Sequence, residues 1–479
     1  MKYISYITMV VLLSALFSSC ESWLDIMPKS RVRAEELFET ESGFREALFG
    51  IYTSASQRTL YGENLTMSFL DVLAQNYVIN HNEDAFYYES IYDYNEQNVE
   101  NRIASIWAGM YNVIANCNSL LNALDGKEKL FKDHNYSFFL AETKALRAFL
   151  HFDLLRLYAP SANVIGDQPA IPFVDQLTNV PFPQLSANEV LERIISELLV
   201  ARGLLADIDP IGPRYTEYSE EEVAIEDVVY DKGFLLHRKN RLNYYAITGL
   251  LARVYLYKGD KNAAAKMAVE VIDSQKFNFQ TVYDDDGENN NLDISEIRDQ
   301  IFYEEIIFGL YNDKLGEMSR WLFATDGGLF IPPERLKMYF EIPSYGTIDE
   351  RYRYQFEIPN SATVEVLAKY GNRDRTIPLI RLAEMYYIAA ECADSNEEAL
   401  DMLNTVRKSR GYEDLSASTD FNAELQKEYR KEFIGEGQLF YFFKRRNATV
   451  IPYSSITGSD KVYVLPIPSI EKEFGNIND

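Results

Sequence analysis

Residues 251–268 read LARVYLYKGDKNAAAKMA, and this stretch decides the fold class. An apolar run with helical spacing ends at Gly259-Asp260, and an alanine-rich second run follows it. Small residues let two antiparallel helices pack closely, which is the outline of a tetratricopeptide repeat. Residues 382–404, LAEMYYIAAECADSNEEALDMLN, give a second copy. Neither copy has the full repeat consensus, so the pattern predicts a scaffold of helix pairs and not a long regular solenoid.

Apolar residues at helical spacing extend this interpretation to most of the chain. One further helix is predicted to begin at Ser186, where Ser186-x-x-Glu189 forms a capping box before an apolar run. The other predicted helices cover residues 34–55, 102–124, 141–158, 242–257 and 261–273. We therefore predict a mainly α protein, an α–α superhelix of tetratricopeptide-like pairs.

Three stretches interrupt the helical pattern with acids, Gly, Pro and aromatic residues. They cover about 61–98, 209–239 and 283–370, with a hairpin expected near 223–236. We predict that they are irregular loops with short strands laid over the scaffold. Long loops in a compact fold are usually functional or disordered, and the aromatic content of these loops favours order.

The first residues predict export and lipidation. Met1-Lys2 gives the chain a positively charged N-terminus, and the apolar run from Ile4 to Phe17 has the length of a signal-peptide core. A transmembrane helix needs about 20 apolar residues, so this run is too short to span a bilayer. The sequence LFSSC at 16–20 resembles a lipobox, with Phe where a lipobox usually has Leu, and Cys20 would be lipidated. Acyl chains on Cys20 would give a lasting membrane anchor.

The predicted domain organisation follows from this leader. Residues 1–19 are predicted to be a lipoprotein signal peptide, and residues 20–479 a single domain. The net charge of −26 repels nucleic acid, so no nucleic-acid partner is expected. Beyond Cys20, the two remaining cysteines, Cys117 and Cys392, lie in apolar helical patterns and are predicted to be buried free thiols.

The sequence gives little support to metal binding or catalysis. The acidic run at 284–291 lacks EF-hand spacing, so a solvated loop is favoured over a Ca²⁺ site, and no cofactor is expected. None of the common catalytic motifs occurs, and we predict no catalytic residue and no enzyme. His151 lies within a helical pattern and is interpreted as structural. Three charged residues on scaffold helices are predicted to form ion pairs: Arg147, Glu384 and Glu391.

Motifs along nearly the whole chain point to one family. The most specific is ETKALRAFLHFDLLRLY at 142–158, followed by Pro169-x-Ile171-Pro172. Other motifs are WLDIxP at 23–28, ALFGIY at 47–52, LLARVYL at 250–256, IRLAE at 380–384, YRKEF at 429–433 and LPIP at 465–468. Together they resemble the SusD/RagB family of outer-membrane nutrient-binding lipoproteins. Three positions depart from the family pattern: Gly435, Gln438 and Phe442.

The resemblance implies a function and a partner. The expected protein is a lipid-anchored lipoprotein of the outer membrane that faces the cell exterior and binds a glycan. It would act as lid and ligand-capture subunit of a SusC-like TonB-dependent outer-membrane transporter. Two alternatives stay open: the same lid role with a peptide or another non-glycan nutrient, or a tetratricopeptide-type interaction scaffold without a small ligand.

In this family the ligand face comes from the segment after the first helix and from the long central excursion. A pyranose needs aromatic faces under its apolar side and amide, carboxylate or guanidinium groups at its hydroxyls. Trp321 is the strongest single candidate, since a Trp is rarely left exposed without use. For each aromatic, packing in the core is an equal alternative. The candidate residues are Tyr77, Asn80, Asn82, Tyr87, Tyr88, Tyr92, Arg320 and Trp321.

Overall fold

The structure, a computed structural model, describes residues 36–178, 180–215, 233–280, 299–323, 328–358, 365–371 and 375–476. The predicted signal peptide, the lipidation site Cys20, the acidic run at 284–291 and most of the hairpin at 223–236 lie outside these ranges and stay predictions. The chain divides into two units, Met1–Glu46 and Ala47–Asp479. Within the described part of the first unit, the rings of Phe38 and Phe44 pack with centroids 4.8 Å apart.

Helices dominate the described chain, as the hydrophobic periodicity predicted. Numbered in chain order, they are α1 Glu41–Ala55, α2 Phe69–Leu73, α3 Tyr87–Ser90, α4 Gln97–Leu124, α5 Asn135–Tyr158, α6 Ala162–Ile165, α7 Ala187–Leu205, α8 Tyr244–Lys258, α9 Lys261–Asp273, α10 Leu315–Leu322, α11 Pro333–Tyr339, α12 Ile342–Tyr345, α13 Glu350–Gln355, α14 Leu382–Cys392, α15 Asn396–Ser409, α16 Phe421–Glu432, α17 Gln438–Arg445, α18 Asp460–Tyr463 and α19 Ser469–Phe474. Short 3-10 helices lie at Glu128–Leu130, Arg238–Asn240 and Tyr303–Glu305.

Local side-chain chemistry sets several helix ends. The predicted capping box is present at the start of α7, where Ser186 and Glu189 cap each other's backbone N–H groups. α4 begins five residues before the predicted start, because the Glu96 carboxylate accepts the free N–H groups of Asn98 and Val99. α8 ends at Lys258, and the φ of +89° at the following Gly259 lets the chain turn directly into α9.

The long helices stack in the order in which they occur along the chain. α4 packs on α5, α5 on α7, α7 on α8, α8 on α9, α9 on α14, and α14 on α15. The pairs α8–α9 and α14–α15 are the two copies that the sequence indicated. α5 is buried on nearly all sides from 145 to 158, because helices flank it on both sides of the stack. The predicted tetratricopeptide-like scaffold is confirmed.

The described strands are short and form three two-stranded antiparallel sheets. β1 (Pro169–Pro172) pairs with β2 (Gln184–Ser186), β3 (Ile306–Tyr311) with β6 (Thr376–Arg381), and β4 (Phe356–Glu357) with β5 (Val366–Leu367). The stretch 61–98 was predicted to carry short strands, but it holds the helices α2 and α3 and no strand. Residues 61–77 are buried, and packing against the scaffold overrides the strand propensity of their aromatic residues.

A buried network of charges ties the C-terminal helices together. Glu432 of α16 accepts from Arg381, Arg351 and Arg410, with distances of 2.5, 2.9 and 2.8 Å. Burial alone would raise the pKa of Glu432, but the guanidinium groups of these arginines outweigh it and hold the pKa well below its usual range. One turn earlier, Glu428 meets Arg351 in the same way. The network links α13, β6, α15 and α16.

Three predicted ion pairs on scaffold helices are confirmed. Arg147 pairs with Glu197, Glu384 with Arg253, and Glu391 with Arg445. Both cysteines in the described chain are free thiols, as predicted. Cys117 is buried, but Cys392 is only half-buried, because it lies in the last turn of α14 next to the turn toward α15.

Candidate ligand-binding surface

The two segments predicted to form the ligand face lie against each other. The Val78 N–H donates to the Phe330 carbonyl at 3.3 Å, and the rings of Tyr77 and Phe323 are 6.1 Å apart. Arg335 Nη1 donates to the Tyr77 carbonyl at 3.3 Å. About 250 residues of chain separate these partners, so the scaffold brings together two stretches that the sequence could only name separately.

Trp321 is a largely exposed aromatic residue. Its side chain, in the last turn of α10, is 64% exposed. The Arg58 guanidinium lies 5.0 Å from the ring centroid, in the geometry of a cation–π contact. Arg58 is itself fixed by Glu63, with 2.6 Å between Nε and the carboxylate. Asn312, just before α10, donates to the Ser56 carbonyl at 2.6 Å and holds the Arg58 loop beside the helix.

Arg320 precedes Trp321 and is also exposed. We define the Trp321 surface as Arg58, Arg320, Trp321 and the loop 78–82. Asn80 and Asn82 lie on this loop and are exposed. The backbone N–H groups of residues 80 and 81 donate to the Asp84 carboxylate at 3.2 and 3.0 Å, which closes the loop on itself. The surface thus combines one exposed aromatic ring, the Arg58 guanidinium against that ring, and the exposed side chains of Arg320, Asn80 and Asn82.

Tyr87 and Tyr88 are half-buried on α3, with their rings in an edge-to-face contact at 5.4 Å. Arg102 of α4 pairs with Glu89 at 3.0 Å and also donates to Asn64 at 3.1 Å. Asn64 follows Glu63, the partner of Arg58. The loop 57–64 therefore contacts Trp321 through Arg58 and is linked to α3 through Asn64 and Arg102.

Tyr77 and Tyr92 lie inside the protein and support the loop. The Tyr77 hydroxyl donates to the Met67 carbonyl at 2.8 Å, and the ring is 4% exposed. The Tyr92 hydroxyl donates to the Leu73 carbonyl at 2.9 Å, and its backbone φ is +58°. A ring contact between either tyrosine and a ligand would require the loop to move. The ligand roles predicted for Tyr77 and Tyr92 stay predictions, and the exposed candidates are easier to reach.

Sequence reasoning missed Arg58, Arg335 and Tyr453. Tyr453 is 41% exposed with a φ of +72°, and the Arg335 guanidinium lies 4.6 Å from its ring centroid. A non-glycine residue with positive φ is uncommon and costs roughly 1–3 kcal/mol. No motif marks these positions, since their neighbours come from distant parts of the chain. The exposed aromatic in a polar loop was the only signal available for Tyr453.

His151 is structural, as predicted. Its Nε2 accepts the Val174 N–H at 2.9 Å, and its Nδ1 faces the Arg147 carbonyl at 2.9 Å. The ring also stacks on Phe173 at 4.1 Å. Burial lowers the pKa of His151 to about 3, so the imidazole is neutral at physiological pH.

The described residues contain neither a metal-binding cluster nor a membrane-spanning helix. No group of three or more His, Cys, Asp or Glu side chains within the described ranges is arranged to hold a metal ion. None of the helices in those ranges is both long enough and apolar enough to cross a bilayer.

Two family models match this chain and together cover most of its length. The SusD-like model described as "Starch-binding associating with outer membrane" matches residues 22–217. The SusD family model matches residues 347–465. The chain belongs to the SusD/RagB family. The first match contains α1 to α7 and the loop 78–82, and the second contains α14 to α17 with the buried charge network.

Curated SusD relatives match over part of their length. SusD-like protein P25 of Formosa agariphila is 23% identical over 65% of this chain and 54% of that protein. SusD-like protein P2 of the same organism is 25% identical over 56% of this chain and 46% of that protein. The chain thus spans about half the length of the curated relatives it matches.

Solved structures of the SusD superfamily share the fold. A SusD superfamily protein of Bacteroides thetaiotaomicron aligns with a TM-score of 0.70 and 22% identity, covering 92% of this chain and 99% of that one. A sugar-binding protein assigned in Bacteroides vulgatus aligns with a TM-score of 0.66 and 20% identity, covering 92% of this chain and 98% of that one. A laminarin-binding SusD-like protein aligns with a TM-score of 0.64 and 20% identity, covering 92% of this chain and 98% of that one.

Proposed function

We propose that this SusD-family chain is a cell-surface lipoprotein that captures a glycan for a SusC-like TonB-dependent outer-membrane transporter and serves as its lid. Cys20 would carry the lipid anchor, and the folded body would face the cell exterior. The description of the matching family model, with starch binding and outer-membrane association, supports the ligand class and the location. A laminarin-binding protein among the structural neighbours also supports a glycan ligand.

The exposed ring of Trp321 is the observation that carries the glycan proposal. A pyranose has an apolar face of C–H groups, which stacks on an aromatic ring and leaves the hydroxyls at the rim. Arg58 contacts the Trp321 ring, Arg320 precedes it in the chain, and Asn80 and Asn82 are exposed on the loop 78–82. Guanidinium and amide donors near an exposed aromatic ring suit sugar hydroxyls.

The packing behind Trp321 favours a preformed site. Leu322 and Phe323 are buried below it, and Asn312 fixes the loop that carries Arg58. A rigid platform loses little conformational entropy when a ligand binds. The proposed role is binding without chemical conversion of the glycan, so incubation with a bound oligosaccharide should leave its chain length unchanged in chromatography.

Calorimetry against a panel of oligosaccharides, including starch-type and laminarin-type glucans, tests the ligand class. The change Trp321→Ala should weaken binding of the best ligand by about 30-fold, which corresponds to about 2 kcal/mol for a central aromatic contact. Phe474→Ala is the matched control, since Phe474 is 68% exposed on α19 and no contact of the described chain links it to the Trp321 surface. Its affinity should equal that of the unchanged protein.

The outcomes separate the alternatives. Binding to peptides and to no glycan would replace the ligand class and keep the lid role. Uptake that is unaffected by Trp321→Ala and Tyr88→Ala together would favour a protein-interaction scaffold. Co-purification of the transporter with the wild-type chain tests the partner, and loss of membrane attachment in Cys20→Ala tests the anchor.

A further inference from the structure

Tyr453 is an exposed aromatic residue on the loop 446–459, which joins α17 to α18. The residue is 41% exposed. Its backbone φ of +72° is uncommon for a bulky side chain and is energetically unfavourable. Such strain persists only where the surrounding structure enforces it, and it is concentrated at ligand-binding and active sites. A strained aromatic residue at the surface is therefore a candidate for a ligand contact.

The position of Tyr453 is fixed by its own loop and by the scaffold. The Gly458 N–H donates to the Thr449 carbonyl at 2.9 Å and closes the loop. The Tyr339 ring of α11 packs against Tyr453 in an edge-to-face contact at 5.3 Å, and the buried Arg430 guanidinium lies 5.2 Å from its ring centroid. A side chain held in this way loses little conformational entropy when a ligand binds.

The Arg335 guanidinium supplies hydrogen-bond donors beside the Tyr453 ring. It is half-buried and lies 4.6 Å from the ring centroid. Arg335 donates to the Tyr77 carbonyl at 3.3 Å and also interacts with the Tyr339 hydroxyl, and no carboxylate in the described ranges forms an ion pair with it. A guanidinium carries more N–H donors than these contacts use, so donors remain for the hydroxyl groups of a sugar.

Tyr77 connects Tyr453 to the Trp321 surface. The Tyr77 carbonyl accepts from Arg335, and the Tyr77 ring packs 6.1 Å from the aromatic ring two residues after Trp321. The loop 78–82 begins directly after Tyr77. Among the described contacts, Trp321 and Tyr453 neither touch each other nor share a neighbour. The two exposed aromatic residues thus offer separate stacking positions, linked through the base of the loop 78–82.

We propose that Tyr453 and Arg335 form a second sugar subsite, and that the ligand is an oligosaccharide long enough to contact Trp321 and Tyr453 at once. This inference rests on the proposed glycan-binding function and adds the length class of the ligand. The aromatic ring suits the apolar face of a pyranose, and the guanidinium beside it suits the hydroxyls. Two units of one sugar chain reinforce each other, because the second unit binds from a high effective concentration.

Calorimetry with starch-type and laminarin-type gluco-oligosaccharides, from the disaccharides upward, tests the second subsite. The affinity of the unchanged chain should rise with ligand length until the ligand reaches Tyr453, and then level off. Tyr453→Asn removes the ring, and Asn tolerates a positive φ better than most residues. This change should weaken binding of the longest oligosaccharides about tenfold and leave the affinity of the shortest ligand that binds unchanged.

Tyr215→Asn is the matched control. Tyr215 is 42% exposed, and no contact of the described chain links it to Tyr453 or Trp321, so its affinities should equal those of the unchanged chain at every length. If Tyr453→Asn fails to fold, Arg335→Gln removes the guanidinium donors, and the same loss confined to long ligands is expected.

The outcomes separate the subsite from the glycan function. Affinities that do not depend on ligand length would overturn the second subsite and leave glycan binding intact. A Tyr453→Asn protein that loses no affinity at any length, or loses it equally at every length, would do the same. If no oligosaccharide of either series binds, the proposed glucan ligand fails and the subsite fails with it.

Discussion

Acid should destabilise this protein through His151, because the fold favours the neutral form of this buried imidazole. The Nε2 atom accepts the Val174 N–H and therefore cannot carry a proton without losing that bond. Burial, with a smaller contribution from the Arg147 charge, lowers the pKa of His151 from 6.5 to about 3. In the unfolded chain the same imidazole titrates near 6.5.

The sign and size of the effect follow from proton linkage. Between pH 6.5 and about 3 the unfolded chain binds a proton that the folded chain refuses, so stability falls as the pH falls through this window. At pH 5 the unfolded state gains about 2 kcal/mol relative to pH 7 from this one group. That is a large part of the roughly 5–15 kcal/mol that stabilises a typical domain.

Urea unfolding at pH 7 and pH 5, followed by circular dichroism, measures the loss. The change His151→Gln removes the titration and keeps a polar side chain that can still accept the Val174 N–H. Its stability loss between the two pH values should be smaller than that of the unchanged protein by about 2 kcal/mol. His81→Gln is the control, since solvent reaches His81 in the folded state as well, and it should behave like the parent. Equal losses in all three proteins would refute the reasoning.

Three further changes test the packing. Glu432→Gln should lower the free energy of unfolding by about 3–5 kcal/mol in urea titrations, since it removes the negative charge that three buried arginines share. Glu397→Gln is the control, because Glu397 is exposed, and it should change the free energy of unfolding by less than about 0.5 kcal/mol. Gly437→Ala should lower the Tm, because φ is +70° and the new Cβ would lie 2.5 Å from a backbone oxygen; Gly50→Ala, with open space around it, should not. Tyr77→Phe should lower the free energy of unfolding by about 1 kcal/mol, because the hydrogen bond to the Met67 carbonyl is lost. Glycan affinity in calorimetry should stay unchanged. A fall in affinity would instead show that Tyr77 contacts the ligand.

The Trp321 surface shows how far sequence reasoning reaches for a binding site. The exposed candidates, Trp321 and the asparagines of the loop 78–82, could be named because residue type and polar surroundings are visible in the sequence. The burial of Tyr77 and Tyr92 could not be foreseen, because an aromatic side chain suits a binding surface and a core equally well. The Arg58 contact was also hidden, since Asn312 positions that loop from far along the chain.

The helices of this protein are properties of the sequence itself. Apolar spacing, the capping box at Ser186 and the Gly259 turn act within a few residues, so the boundaries of α9 and the start of α7 can be located without the fold. The same local patterns defined the helix pairs and hence the class of scaffold.

Only the tertiary structure decided which charged and aromatic groups meet. Glu432 gathers Arg351 and Arg381 from positions 81 and 51 residues away, and Arg253 pairs with Glu384 across 131 residues of chain. Ion pairs and cavities depend on distances between elements, and those distances are set when the helices pack. Local periodicity carries no information about them, because it fixes which face of a helix is buried but not what that face is buried against.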